Sequence, residues 1–413
     1  HPPPPPTPPP PPHHNPPPPH IPPLYSSSAA SDVYKRQIIF MKTIKFFSCQ
    51  ELPVELHKVI IFQKLFLKQI EESFEAIEEG GYNTFLLNTK DIFLDMLTDS
   101  GTNAMSDNQV SSMLQADDAY AGSQSFYRME SALQEVFNKK MLLPVHQGRA
   151  AENIISQVFI KEGDVIPMNY HFTTTKEHME INGGKVLEIY TDEALKIKSD
   201  FLFKGNIDIQ KLKDVIAEYG KDRVAFIRME ASTNLIGGQP FSIQNMREVR
   251  EIADEHGLMV VLDASLIGEN AYFIKEREEE FKDASIKEIL HTMTGLAELV
   301  YFSSRKVSST RGGGICTDDN DLFLKMRDLV PLYEGFLTYG GMSVREIEAM
   351  AVGLYETTDE TVINQSPSFI KFAVEKLDSL GIPVVMPAGA LGCHVDAKDF
   401  LSHVPQEEYP AGA

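Results

Sequence analysis

The chain has little cysteine: three in 413 residues, standing far apart at Cys49, Cys316 and Cys393. No pair is spaced as metal ligands, and an odd number cannot all pair within one chain, so reduced thiols in a cytoplasmic protein are expected. Long hydrophobic runs are lacking as well. No apolar stretch reaches the roughly 18 residues of a membrane span, and the segment from Ile38 to Phe47 is broken by Lys42 and Lys45. The N-terminus shows no signal-peptide pattern. Positive charge is in deficit, with 38 Lys and Arg against 59 Asp and Glu and a net charge of −21. That balance opposes binding to nucleic acid or to an anionic membrane and leaves a small molecule as the expected partner.

Proline is unevenly placed. Sixteen of 26 prolines fall in residues 1 to 23, a polyproline-like or disordered run, and the stretch from Ser26 to Gln37 has no amphipathic period. Residues 1 to 40 resemble translated adapter or vector sequence; a natural Pro-rich linker is the alternative. Residues 50 to 80 carry Val59, Phe62, Leu65, Phe66 and Ile70 at helical spacing up to Gly80-Gly81. From about 100 to 330, short apolar runs alternate with helical patterns. The strand candidates are Leu142 to Val145, Asp164 to Met168, Lys185 to Tyr190, Val224 to Met229, Met259 to Leu262 and Leu299 to Phe302. The helix candidates include Ile209 to Tyr219, Ile243 to His256 and Ile286 to Met293. This alternation predicts an α/β fold with a mainly parallel sheet covered on both faces and ligands at the carboxyl ends of the strands. Helices are expected around Tyr339-Gly-Gly341, then a helix from Ser368 to Leu380 and a strand from Val384 to Met386.

Lys306 follows one of these apolar runs and precedes Gly312-Gly-Gly314, 43 residues after Asp263. An amine and a carboxylate so placed suit an aldehyde cofactor held as a Schiff base, with the acid on a pyridinium nitrogen. Each has a plainer reading alone: a lysine after a strand is usually solvated, and an Asp ending a strand often only caps a helix. Gln147-Gly148-Arg149 precedes a helical pattern from Ala150 to Phe159, which suits a phosphate at a helix N-terminus beside a fixed charge, or else is a turn with a surface arginine. Phe172 suits stacking on a pyridine ring, although an aromatic beside β-branched residues is more often plain core. Together these residues point to pyridoxal phosphate.

Several long strings carry a resemblance. Thr98-Asp-Ser-Gly-Thr-Asn-Ala-Met105, Asp118-Ala-Tyr-Ala-Gly-Ser123, His146-Gln-Gly-Arg149, Phe172-Thr-Thr-Thr175, Gly237-Gly-Gln-Pro240, Glu269-Asn-Ala-Tyr-Phe-Ile-Lys275 and Tyr339-Gly-Gly341 resemble the β-eliminating lyases, the family of tryptophanase and tyrosine phenol-lyase, in order from about Asn83 onward. The resemblance implies a pyridoxal-phosphate enzyme of the aminotransferase-like fold type I, with a large domain over 100–355 and an incomplete small α+β domain over 356–413. Residues 41–99 would be an N-terminal arm and helix. It implies β-elimination from an amino acid to pyruvate, ammonia and a leaving group, with breakage of a carbon–carbon or carbon–sulfur bond, in a cytoplasmic homotetramer whose sites lie at subunit interfaces.

By the same resemblance Lys306 carries the cofactor and acts as base, and Asp263 pairs with the ring nitrogen. Gln147, Gly148, Arg149 and Ser303 hold the phosphate, Phe172 stacks, and Asn234 meets the phenolic oxygen. Thr98 lies near the substrate, Tyr120 protonates the leaving group if a nearby cation lowers its pKa, and Gly101 and Asp118 bind a monovalent cation such as potassium. Asp118 is shorter than the glutamate usual there. Other departures are Leu266 in place of an arginine near the ring, Arg305 in place of a lysine, Val307 in place of an aspartate, and a loop one residue shorter from Lys306 to Cys316. The family sequence continues beyond this one, to an arginine for the substrate carboxylate, so the chain is expected to be a fragment at both ends. The rival readings are an aldolase or transaminase on the same fold and a cofactor-binding homologue without turnover.

Overall fold

A computed structural model describes residues 43–45, 51–53, 67–95, 104–117 and 119–412. The chain divides into two units, residues 1–54 and 55–413. In the first, β1 (Thr43–Lys45) and β2 (Glu51–Pro53) pair antiparallel. The second is built on one sheet of seven strands: β3 (Met141–Val145), β4 (Val165–Met168), β5 (Lys185–Glu188), β6 (Ile227–Glu230), β7 (Val260–Asp263), β8 (Leu299–Ser303) and β9 (Gly313–Thr317). Their spatial order is β3-β9-β8-β7-β6-β4-β5.

Strands β5, β4, β6, β7 and β8 run parallel, while β9 is antiparallel to both β8 and β3. Strand β3 therefore points the same way as β8. The carboxyl ends of β3, β6, β7 and β8 and the start of β9 all meet at one edge, as the alternating pattern predicts. Burial on both faces explains why these strands read as continuous apolar runs. Val260, Leu262, Val300 and Phe302 face one core, whereas Val261, Leu299 and Tyr301 face the other. Helix Gln124–Phe137 lays Met129, Leu133 and Val136 into the first core, and helix Gly148–Phe159 lays Ile154 and Ile155 into the second.

Helices Ile209–Tyr219 and Ile243–His256 lie where their periodicity places them. Their starts are fixed by Asp208, which accepts the Gln210 and Lys211 N–H groups, and by Ser242, which accepts that of Asn245. Helix Ile286–Gly295 runs two residues beyond its expected end, and helix Gln365–Ser379 starts three residues early.

Five points of the sequence reading need correction. Strand β9 lies in the glycine-rich stretch after Lys306, where low β-propensity hides it and pairing with β3 and β8 on either side creates it. The strand expected from Val384 to Met386 is a single bridge, Val384 to Val395, because Pro383 and Pro387 bracket it and the Met386 N–H goes to the Ile197 carbonyl at 2.7 Å. Strand β6 begins at Ile227 rather than Val224, and β5 stops at Glu188 rather than Tyr190. The helical pattern over 50 to 80 is realised as helix Ile70–Glu79, with Gly80 at its end and Glu51–Pro53 a strand; positions 59, 62, 65 and 66 lie outside the described residues. Among the described residues no helix is long and apolar enough to cross a membrane, and no His, Cys, Asp and Glu cluster could hold a metal.

The Tyr339-Gly-Gly341 turn is pressed onto β3. Gly340 has φ +53°, and a Cβ there would lie 2.1 Å from the Pro144 carbonyl oxygen. Gly340→Ala is therefore expected to lower the unfolding free energy by about 2–3 kcal/mol in chemical denaturation. Gly295→Ala, whose methyl would meet nothing within 4 Å, should leave it unchanged or higher. Equal effects from the two would contradict this account of the turn.

Candidate functional site

At the carboxyl edge of the sheet lies a cavity of about 930 Å³. One wall is the start of helix Gly148–Phe159. Gln147, in extended conformation, ends the connection from β3 and bridges to Gly312 at the foot of β9. A Cβ on Gly148 would stand 2.9 Å from Ser303 Cβ, so only glycine lets this helix begin against the end of β8. Its first-turn N–H groups, with Arg149 beside them, form an anion site. Arg149, Arg305 and Arg311 all line the cavity, and none forms an ion pair among the described residues.

The opposite wall is acidic and buried. Asp263, the last residue of β7, is 5% exposed. Its Oδ1 accepts the Ser265 N–H at 3.0 Å, and the Ser265 hydroxyl accepts the Ser303 N–H at 3.0 Å, which ties the ends of β7 and β8 together. Its Oδ2 accepts from Arg228 Nη2 at 2.7 Å and from the Tyr301 hydroxyl at 2.9 Å. Glu152 accepts the Thr174 and Thr175 hydroxyls at 2.7 and 2.6 Å, and its pKa is raised by burial and then by Asp263 nearby. Burial also pushes Glu230 up to about 7, against the pull of Arg228. Glu269, in the first turn of helix Ile267–Arg277, is likewise pushed up to about 7 by burial, opposed by its own backbone N–H and by the Lys306 charge.

Lys306 sits in the single turn Ser304–Val307 that follows β8, with its ammonium 5.7 Å from the centre of the Phe172 ring. Asn234 opens the short turn after β6, and its N–H donates to Glu230 Oε1 at 2.9 Å. The cavity thus brings together Gln147, Gly148, Arg149, Phe172, Asn234, Asp263, Ser303 and Lys306, with Leu266 and Arg305 from among the departures. Leu266 is 3% exposed, so the position expected to hold a cation in the resembled pattern is an apolar wall.

Tyr120 is not among the lining residues. It is 74% exposed, with its ring 5.2 Å from that of Phe336 and 5.9 Å from that of Tyr339. Its phenol was expected to be lowered by a cation; a hydrogen bond with Tyr339 raises it instead. Thr98, Gly101 and Asp118 lie outside the described residues. Sequence reading missed Glu152, Arg228, Glu230, Glu269 and Arg311. For the second and third a signal existed: Ile227-Arg-Met-Glu230 places two charges inside an apolar strand flanked by other buried strands.

A lysine amine beside an aromatic ring, a buried carboxylate and a helix start with an arginine that has no ion pair among the described residues fit pyridoxal phosphate in amine, ring, nitrogen and phosphate. Comparison with known proteins agrees. The family model "Beta-eliminating lyase" matches residues 95–405. The chain is 43% identical over 360 residues to a tyrosine phenol-lyase of Pasteurella multocida, covering 87% of this chain and 79% of that one. It is 45% identical over 340 residues to a tyrosine phenol-lyase of Fusobacterium nucleatum, covering 82% and 74%. Among solved structures, a serine palmitoyltransferase of S. paucimobilis with bound PLP superposes with a TM-score of 0.53 at 10% identity, over 72% of this chain and 73% of that one. A chain of a SepCysS–SepCysE N-terminal domain complex gives 0.53 at 13% identity, over 75% and 81%. At such low identity these two speak to the fold alone, which is fold type I.

Two outcomes follow from the site's charges. Arg149→Ala should weaken pyridoxal phosphate binding by roughly 10- to 100-fold, the worth of one charge-assisted contact, as read by absorbance titration of the cofactor-free chain. An unchanged affinity would remove Arg149 from the phosphate site. In the folded chain Glu230 and Glu269 keep their protons up to about pH 7, against an ordinary 4.5. The native state then binds more protons than the unfolded one between those values, so stability falls as pH rises through that window. Glu269→Gln should flatten this fall by up to about one proton in denaturation series at several pH values, and an unaltered slope would show that Glu269 titrates normally.

Proposed function

The chain belongs to the β-eliminating lyases, pyridoxal-phosphate-dependent enzymes acting on amino acids, and from that premise we propose that it removes an aromatic group from the β-carbon of a tyrosine-like amino acid, releasing pyruvate and ammonia. The observation that carries the reading is the single cavity in which Lys306, Asp263, Phe172 and the Gln147–Arg149 turn converge. The leaving group is inferred from the relatives, named tyrosine phenol-lyase.

Bound in the cavity, pyridoxal phosphate supplies an aldehyde for the substrate amine and a ring that accepts electrons when the α-proton leaves. The chain does the rest. The helix start, Arg149 and Ser303 grip the phosphate; Phe172 covers one ring face; Asp263 accepts from the ring nitrogen and Asn234 donates to the phenolic oxygen. Lys306 would hold the aldehyde of the resting cofactor and is the amine placed to act as base on the α-proton. The Leu266 wall excludes water beside the ring and contributes no charge there.

Tyr120 serves as the acid for the leaving group in the cavity of a second copy of the chain. Its exposure and its absence from the lining of its own cavity support this. An oligomer, a homotetramer by the family resemblance, also fits the exposed apolar side chains of residues 67–95, among them Leu67, Ile70, Phe74, Leu86 and Leu94. The monovalent-cation role of Gly101 and Asp118 and the substrate contact of Thr98 stand as part of the same proposal. A cytoplasmic location accords with Cys316 and Cys393 both being free.

Pyruvate and ammonia from tyrosine are the expected products; glycine with an aldehyde, or amino transfer to a keto acid, would replace elimination with one of the rival reactions. Borohydride trapping and peptide mapping should place the cofactor on Lys306, and label on Lys275 or Lys325 would move the anchor. Tyr120→Phe and Lys306→Ala chains, each inactive alone, should regain elimination activity when mixed and reassembled, since a hybrid pairs an intact Lys306 with an intact Tyr120 from its neighbour. Mixtures that stay inactive despite forming hybrids would confine Tyr120 to its own subunit or exclude it.

A further inference from the structure

Strand β6 holds two charges inside the molecule: Arg228 is fully buried and Glu230 is 4% exposed. Charges in such a place persist only when paired and hydrogen-bonded. Arg228 is the hub. Its Nη2 donates to Asp263 Oδ2 at 2.7 Å and to Glu230 Oε2 at 3.0 Å, and its Nε donates to the Tyr301 hydroxyl at 2.9 Å. That hydroxyl donates to the same Asp263 oxygen at 2.9 Å, and the other Glu230 oxygen accepts the Asn234 N–H at 2.9 Å. A continuous line of contacts therefore joins Asp263 to Asn234, the residues assigned to the ring nitrogen and to the phenolic oxygen. Leu266 brings no cation to the cavity, so the guanidinium closest to the Asp263 carboxylate comes from β6.

We propose that Arg228 and Glu230 are positioning residues that set how strongly Asp263 holds the proton of the cofactor's ring nitrogen, which rests on the role given to Asp263 above. A carboxylate oxygen that already accepts two hydrogen bonds, one from a guanidinium, is a weaker acceptor for a further proton. Glu230, once ionised above about pH 7, draws part of the Arg228 charge toward itself and so strengthens Asp263; Tyr301 donates to Asp263 and weakens it. Glu152 is joined to Arg228 through the Thr175 hydroxyl at 3.3 and 2.6 Å, and burial pushes it toward its protonated form. The ring's capacity to take up electrons depends on that nitrogen's protonation. The pair thus acts on the chemistry without touching the substrate.

Two near-isosteric variants separate this from mere core packing. Glu230→Gln keeps an acceptor for the Asn234 N–H but cancels the counter-charge, which leaves Arg228 to Asp263 alone. Tyr301→Phe removes one donor from Asp263 and leaves the arginine in place. With cofactor isotopically labelled at the ring nitrogen and bound to the full chain above about pH 7, where Glu230 is ionised, nitrogen NMR should show displacement toward the unprotonated position in Glu230→Gln and toward the protonated position in Tyr301→Phe. Asp263→Asn, the reference, should move the resonance further toward the unprotonated position than Glu230→Gln does. If Asp263→Asn moves the resonance while the other two leave it alone or shift it in the same direction, Arg228 and Glu230 only fill space and the inference fails. A resonance that ignores Asp263→Asn overturns the assignment of Asp263 together with the inference.

Discussion

The site depends on one close approach, the start of helix Gly148–Phe159 against the end of β8 at Ser303. That contact brings β3 and β8 to a common edge although β9 lies between them in the sheet. Because Gly148 adds no side chain, the first free N–H groups of the helix open at the place where β8 gives way to the turn carrying Lys306. The anion site and the amine are thus fixed relative to one another by backbone packing, which is stiffer than any pair of side-chain contacts. The Ser265 hydroxyl, accepting the Ser303 N–H, extends the same constraint to β7 and hence to Asp263.

The acidic wall is the costly part of this arrangement. Glu152, Glu230 and Asp263 are each at most 6% exposed; Arg228 donates to Glu230 and Asp263, Tyr301 donates to Asp263, and the Thr174 and Thr175 hydroxyls donate to Glu152. One guanidinium cannot neutralise three carboxylates, which is why burial holds Glu230 and Glu152 toward their protonated forms. Replacing this network by apolar residues would suit stability, since buried ion clusters seldom repay their desolvation. Their presence around the carboxylate at the end of β7 is better explained by function, as ionisable clusters in clefts generally are.

Much of the fold was legible because the strands of a sheet buried on both faces announce themselves as short apolar runs, and Ile209–Tyr219 and Ile243–His256 have capping residues at the expected places. Strand β9 was not, since Gly313 and Gly314 carry no strand signal and only their neighbours make them one. Residues of the site came from two sources. Lys306, Asp263 and the Gln147–Arg149 turn could be singled out by chemistry and spacing, whereas Asn234 and Ser303 entered through resemblance. The position of Tyr120 relative to the cavity could not be read at all, because it depends on where the Tyr339-Gly-Gly341 turn packs. Arg228 and Glu230 were overlooked for a different reason: a periodicity argument treats a charged residue within an apolar run as noise, and only the structure shows the two facing the same carboxylate network.

The net charge of −21 appears at odds with a cofactor that carries a phosphate dianion. At physiological salt the field of distant acids is screened within about 8 Å, so an incoming anion responds to what lines the cavity rather than to the molecule's total. There Arg149, Arg305, Lys306 and Arg311 stand with no ion pair to a carboxylate among the described residues. Their positive charge is left for the ligand, and of the lining carboxylates Asp263 and Glu230 are engaged with Arg228 while burial pushes Glu152 toward its protonated form. Arg149 at the helix start and Asp263 at the end of β7 therefore offer one cavity two groups of opposite sign. A ligand that is anionic at one end and holds a protonatable ring nitrogen at the other matches that pair.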